Sequence, residues 1–138
     1  MSTQNYCTKA DIEAIWPPAD LLASVDDDAS GTLSATEEGY IDRAIERAAN
    51  HINARLDTRY RLADLAGNTW CRDANAALAA YWLSTRRGAA APAHLQQQYD
   101  AYLAALGEIA AGRMKVPQAA ESFDLTPTMT NFDVRLGQ

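Results

Sequence analysis

The chain has 138 residues, enough for one domain with a sizeable hydrophobic core. Its formal net charge of −6 excludes a protein whose main task is to hold a phosphate backbone tightly, because such proteins are normally basic. The chain carries 28 alanines against 7 glycines and 5 prolines, and alanine favours helices over strands. The composition therefore predicts a globular, all-α protein.

The first 25 residues predict an arm and two short helical segments. Residues 1–7 have the character of a loose N-terminal arm. Thr8 and Asp11 have the spacing of a capping box, which predicts the start of a short helix. Pro17-Pro18 must end that helix, since proline removes a backbone donor and restricts the residue before it. A second short turn or helix is expected over 20–25.

An acidic, glycine-containing loop at 26–32 precedes the longest predicted helix, which runs from Ser34 to Tyr60. Ser34 and Glu37 have the spacing of a second capping box. Apolar residues then recur every three or four positions, the period of one helical face. These residues are Ile41, Ile45, Ala48, Ile52, Leu56 and Tyr60.

Two further helices are predicted after a connection at 58–68. One spans 69–87 and ends in Arg86 and Arg87, which complement the negative end of its dipole. The other spans 92–111. We expect a small bundle of about four helices with one long central helix, formed by residues 8–114. An extended C-terminal tail at 115–138 follows, and its hydrophobic content favours ordering on a partner.

The cysteines and the termini suggest a protein made in a cytoplasm. Cys7 and Cys71 are too few and too far apart for a disulfide framework, so we expect Cys71 in the core and Cys7 near the loose terminus. The N-terminus lacks the apolar centre of a signal peptide. No run approaches the ~20 apolar residues that cross a bilayer, so no membrane association is expected.

The most specific motif is the stretch Asp26–Glu37, which matches the twelve-residue EF-hand calcium loop position by position. Gly31 falls at the position where that loop turns sharply. The candidate oxygen ligands are Asp26, Asp28, Ser30, the carbonyl of Thr32, and Glu37. The alternative is a plain helix start, because Asp and Ser are common in turns. The entering helix is short and there is no second loop, so the sequence leaves both interpretations open.

Signals of an enzyme are absent from the sequence. His51 and His94 have no partner at the spacing of a zinc site. There is no nucleophile elbow and no phosphate-binding glycine loop. A small helical regulator, such as an antitoxin or DNA-binding domain, is disfavoured by the acidic charge and by the lack of a helix-turn-helix. We therefore expect a protein that is not an enzyme and requires no cofactor, with calcium as the one candidate.

Several short motifs in a fixed order resemble a known family. They are the Thr8-x-x-Asp11 helix, the acidic loop, Arg59-Tyr60-x-Leu62 at the end of the long helix, Ala80-Tyr81-x-Leu83, and Tyr99-x-x-Tyr102-Leu103-x-x-Leu106-x-x-Ile109-Ala110-x-Gly112. Over roughly residues 8–115 the chain resembles the small helical head–tail connector (adaptor) proteins of tailed phages and Mu-like prophages. One departure is Ala63, where the family often has proline.

The resemblance implies a structural role in the virion, at the junction of head and tail. Connectors of this kind form a ring, generally twelve-fold, beneath the portal protein. The ring extends the DNA channel, contacts the passing DNA without specificity and docks the next connector or tail protein. We expect subunit contacts from residues of the long helix's end and of the tail: Arg55, Arg59, Tyr60, Phe123 and Phe132.

Overall fold

The structure, a computed structural model, describes residues 4–117 and is helical throughout, with no strand in that range. Its elements are α1 (Lys9–Glu13), α2 (Pro18–Val25), α3 (Ala35–Leu56), a 3-10 helix (Leu62–Leu65), α4 (Thr69–Thr85) and α5 (Ala93–Ala110). The all-α prediction is confirmed. The extended tail lies outside the described residues from 118 onward. Among the described helices, none combines the length and the apolar character needed to span a bilayer.

All the other α-helices pack on α4. α3 is the longest helix, as predicted, but α1, α2, α3 and α5 all contact α4. The seven residues 74–80 in the middle of α4 are all buried, and five of them are alanines. Small side chains let neighbouring helices approach closely from several sides, because the interaxial distance depends on the side chains at the contact. α4 is therefore the buried axis of the bundle.

The two predicted capping boxes are confirmed. The Glu37 carboxylate accepts the backbone N–H of Ser34 at 2.9 Å, and the Ser34 hydroxyl accepts the N–H of Glu37 at 3.2 Å. The Asp11 carboxylate likewise accepts the N–H of Thr8 at 2.9 Å. α2 begins at Pro18, two residues earlier than expected. Proline is favoured in the first turn of a helix, where its missing N–H is not needed.

The prediction of a loose N-terminal arm is wrong for residues 4–7. Cys7 is buried. The N–H of Tyr6 donates to the side-chain oxygen of Asn75 at 2.9 Å, and the amide of Asn53 donates to the carbonyl of Gln4 at 3.1 Å. These partners are about 50 to 70 residues away in the chain, so no local pattern announces them. Residues 1–3 lie outside the described residues.

The first residues after α5 also belong to the core. Val116 is buried, and its N–H donates to the phenolic oxygen of Tyr60 at 3.0 Å. The side-chain amide of Asn68 donates to the carbonyl of Pro117 at 3.0 Å. The chain is therefore fastened beside the start of α4 at the point where the described part ends.

Asn75 provides a test of how the core is held together. It is fully buried, and its amide donates to the carbonyl of Ile45 at 3.0 Å while its oxygen accepts Tyr6. Asn75→Ala leaves a buried N–H without a partner, so we expect a loss of about 2 kcal/mol in the free energy of unfolding, measured with urea. Gln97→Ala, at an exposed position of α5, is the control and should change it by less than about 0.5 kcal/mol. Equal effects of the two variants would contradict this account.

Candidate functional site

The acidic loop is held in shape by its own carboxylates. Asp26 accepts the N–H of Ser30 at 3.0 Å with one oxygen and the N–H of Gly31 at 2.9 Å with the other. Asp28 accepts the N–H of Ser30 at 3.1 Å. Gly31 has a φ of 80°, a conformation that glycine adopts without strain. The sharp turn predicted at this position is therefore present.

Glu37 joins the two ends of the loop. Its side chain is buried, with one oxygen accepting the N–H of Ser34 and the other the N–H of Asp27 at 3.0 Å. The hydrogen bond from Ser34 lowers the pKa of the Glu37 carboxyl most, and the one from Asp27 lowers it further. Glu37 is thus a charged acceptor inside the fold. If α3 separated from the loop, the N–H groups of Ser34 and Asp27 would lose this charged partner.

Three of the five predicted calcium ligands come together. One carboxylate oxygen each from Asp26, Asp28 and Glu37 lie within 4.8 Å of one another. The hydroxyl of Ser30 donates to the carbonyl of Thr32 at 2.9 Å, so these two predicted ligand groups are bonded to each other. Carboxylate oxygens in such a cluster are the chemistry that Ca²⁺ prefers. The same three carboxylates already accept backbone donors, so a cation would compete with those hydrogen bonds.

Asp27, which is not a predicted ligand, connects the loop to the far end of α4. Both oxygens of Asp27 accept from Arg86, at 3.0 and 3.1 Å, and one also accepts from Arg87. Arg86 and then Arg87 hold the pKa of the Asp27 carboxyl well below its usual range. A bidentate arginine pair fixes geometry more firmly than a single contact does.

The same two arginines cap α2. Arg86 donates to the carbonyl of Ser24 at 3.0 Å, and Arg87 donates to that of Ala23 at 2.9 Å. Those carbonyls belong to the last turn of α2, which has no intrahelical partners for them. We predicted that Arg86 and Arg87 complement the dipole of their own helix. Their guanidinium groups instead bind the C-terminal end of a different helix.

We call Asp27 together with Arg86 and Arg87 the clamp. A surface of arginines stacked on aromatic rings lies beside it. We call it the arginine–aromatic surface: Tyr40, Arg43 and Arg47 of α3 with Trp82 of α4 and Arg86 that follows it. The guanidinium carbon of Arg47 is 4.5 Å from the Trp82 ring centre. Those of Arg43 and Arg86 are 5.3 and 4.4 Å from the Tyr40 ring centre. Sequence reasoning missed this surface, although residues 40, 43 and 47 have the spacing of one helical face.

The residues predicted as subunit contacts have different environments. Arg55 and Arg59 are exposed. The Arg59 guanidinium packs against Gly112, where any side chain would collide with it. Tyr60 is 2% exposed and holds Val116, so it offers no surface to a neighbouring subunit. Phe123 and Phe132 lie outside the described residues.

The two histidines have structural surroundings. The His51 ring meets Trp82 edge-on at 6.4 Å, and burial, followed by the charge of Arg55, lowers the pKa of His51. A ring nitrogen of His94 lies 3.1 Å from the carbonyl of Ile15. Neither histidine belongs to the acidic cluster, which is the one group of potential metal ligands found within residues 4–117.

The sequence of the chain matches a known protein family. A sequence-family model described as "Bacteriophage Mu, Gp36" matches residues 6–132. No curated protein matches the chain. The matched range begins at Tyr6, the residue that anchors the N-terminal segment, and it includes the whole bundle and most of the sequence beyond Pro117. The match therefore concerns the entire fold.

The clamp at Asp27 predicts a pH dependence of stability. Its folded pKa lies below the ordinary value of 3.8, so the unfolded chain binds more protons in acid. The stabilisation is complete above that ordinary value and is lost as the pH falls through the folded pKa. Asp27→Asn should be less stable than the wild type at pH 7, and the difference should shrink below about pH 4. Urea unfolding at several pH values measures it.

Asp42→Asn is the matched control, since Asp42 is exposed on α3. Glu37 has a lowered pKa too, but it is present in all three proteins and cancels in the comparison. A difference between wild type and Asp27→Asn that stays constant from pH 7 to pH 2 would contradict the clamp.

Proposed function

Because the chain belongs to the bacteriophage Mu Gp36 family, we propose that it is a structural protein of the phage virion that connects head and tail. In this role it forms a ring, generally twelve-fold as in the connectors it resembles, beneath the portal protein. The ring extends the DNA channel and presents a docking surface to the next connector or tail protein. The protein has no catalytic task and needs no cofactor for it.

The observation that carries the proposal is the family match over nearly the whole chain, together with where the resembling motifs lie. Arg59-Tyr60 and the stretch ending at Gly112 are far apart in sequence but meet in the fold. Tyr60 and Ile109 are buried in one apolar cluster, and Arg59 lies against Gly112. Motifs that pack against each other are expected to occur together in a family. Their contact here supports the interpretation that the resemblance to connectors extends over the whole fold and is not limited to separate short stretches.

The charge of the chain suits the proposed channel. A net charge of −6 gives an average repulsion toward the phosphate backbone. A wall of that kind lets DNA pass without binding it tightly, whereas a basic wall would retain it. The passing DNA is therefore a non-specific contact in this proposal, and the portal, the next tail component and further copies of the chain are the partners.

The test is assembly with the portal protein of the same phage. The purified full chain should self-associate weakly, in a concentration-dependent way, when sedimented alone. With portal present it should form a ring that electron microscopy resolves beneath the portal, with about twelve copies if the resemblance extends to stoichiometry. A chain that stays monomeric and does not co-purify with portal would overturn the proposal.

Calcium binding by the acidic loop is a second candidate function, and the clustering of Asp26, Asp28 and Glu37 oxygens within 4.8 Å favours it. The hydrogen bonds to those oxygens mean that the loop is formed before any ion arrives. Binding of an ion to such a loop stabilises the structure that already exists, and a large change in helicity is not expected. In the connector, the ion would stabilise a turn at one rim of the ring.

Titration calorimetry with millimolar calcium tests this candidate. We expect measurable heat with the wild type and its loss in Asp28→Ala, because that change removes a negative charge and a ligand oxygen from the cluster. Asp20→Ala is the control, since Asp20 is an exposed carboxylate of α2 outside the loop. The absence of heat in the wild type, or equal heat in Asp28→Ala, would exclude the site.

A further inference from the structure

The arginine–aromatic surface contains a pocket of about 200 Å³ between α3 and the end of α4. It is lined by Tyr40, Arg43, Ala44, Arg47, Trp82, Leu83 and Arg86. Its lining thus combines aromatic and aliphatic side chains with three arginines. A cavity of this size accepts one large side chain and its flanking residues.

The charges around the pocket favour an anionic occupant. Three cations converge there in a chain whose net charge is −6. Asp27 pairs with Arg86, which leaves Arg43 and Arg47 as the arginines whose described contacts are aromatic faces. A guanidinium stacked on a ring keeps its in-plane N–H donors free at the edge, where they match a carboxylate. The pocket therefore combines a hydrophobic floor with carboxylate-binding edges.

The sequence beyond Pro117 supplies that chemistry. It contains Phe123 in the run Glu121-Ser122-Phe123-Asp124, with a carboxylate on each side of the ring. Phe132 is followed by Asp133 but has Asn131 before it, so it provides one carboxylate where Phe123 provides two. The first of these segments is the better complement to the pocket.

The reach of the chain favours a pocket on another copy. Pro117 is held by Asn68, at the start of α4, whereas Trp82 lies fourteen residues further along that helix, about 21 Å away. Phe123 follows Pro117 by six residues, which span about 20 Å when fully extended. A straight path along α4 is closed because α3 and α5 pack against it. The segment would therefore have to be almost fully extended to reach the pocket of its own chain, and a pocket on another copy removes this condition.

We propose that the pocket of the arginine–aromatic surface binds residues 121–124 of a neighbouring copy of this chain. Phe123 enters the pocket against Trp82, and its flanking carboxylates pair with Arg43 and Arg47. Because the donor segment and the receiving pocket are different surfaces, the contact is heterologous and repeats from copy to copy, as closure into a ring requires. The proposal rests on the self-association in the proposed function and assigns its contact.

Peptide binding tests the pocket without requiring a ring. The probe is a fluorescein-labelled peptide of residues 118–128, titrated with full-length Phe123→Ala chain so that the chain's own segment does not compete. Fluorescence anisotropy should show saturable binding, weakened at least about tenfold by adding Arg47→Glu and by raising the salt concentration. Adding Arg61→Glu, at an exposed position of the connection after α3 and outside the pocket, should leave binding unchanged.

Folding is checked first, by circular dichroism and the thermal midpoint, and Arg43→Glu replaces Arg47→Glu if that variant does not fold. No peptide binding, or equal binding to the arginine variant, would overturn the proposal. Binding of a labelled 20-nucleotide single strand that Arg47→Glu abolishes, without peptide binding, would also overturn it and assign the surface to nucleic acid.

Sedimentation of full-length variants tests the contact between copies. Arg47→Glu and Phe123→Ala should each lose self-association, and a mixture of the two should recover dimers, since each supplies the half that the other lacks. Arg61→Glu should associate as the wild type does, because Arg61 is exposed and lies outside the pocket. If Arg47→Glu and Phe123→Ala both still formed a ring with portal, the proposed contact at the pocket would be wrong and the connector role would remain. If the peptide bound but the wild type formed no ring with portal, the pocket's binding of residues 121–124 would be supported and the proposed connector role would be wrong.

Discussion

Every other α-helix of the described chain packs on α4, and this is possible because the middle of α4 is lined mostly by alanine. A helix with leucine or phenylalanine on all sides would hold its neighbours further away and leave gaps between them. The cost of so many small residues is a limited apolar area on α4 itself. The larger side chains are supplied by the surrounding elements, such as Ile52 and Leu56 of α3 and Leu106 of α5.

The buried polar groups determine how the remaining segments fit around α4. Asn75 is the polar residue inside the alanine stretch, and its two hydrogen bonds bind α3 on one side and the N-terminal segment on the other. At the end of α4, Arg86 and Arg87 bind α2 and the acidic loop through Asp27. The orientation of the short elements therefore follows from a few directional contacts, since α1 and α2 are too short to be stable alone.

How much of this could be predicted from sequence depends on the range of the interaction. The capping box of Ser34 and Glu37 and the helical period of α3 are local, and both were predicted correctly. The fastening of residues 4–7 was missed because Asn53 and Asn75 are far away in the chain and asparagine has no apolar period to reveal it. Tyr60 belongs to the predicted apolar face of the long helix and was also expected to contact a neighbouring subunit. Its burial agrees with the first expectation, because its hydroxyl accepts the N–H of Val116 inside the fold.

The same distinction applies to the candidate site. The spacing of Asp26, Asp28 and Glu37 was visible in the sequence because all three belong to one loop, and the structure brings their oxygens together. The pairing of Asp27 with Arg86 was not visible, since it joins residues 59 positions apart. The stacking of Arg47 on Trp82 could not be predicted either, since the two residues belong to different helices, although each lies on a regular helical face.

The location of the family motifs has a consequence for function. Tyr60 and Ile109 are buried, so these residues report that the fold is the family's and say little about what the outer surface contacts. The contact surface has to be found by other means, and the relevant signal is a group whose charge or apolar area the chain itself does not satisfy. In residues 4–117 one such place is the pocket where Arg43 and Arg47 stack on aromatic rings in an acidic protein. The buried residues Tyr60 and Ile109 therefore identify the family, and the search for a contact surface begins at the pocket lined by Arg43 and Arg47.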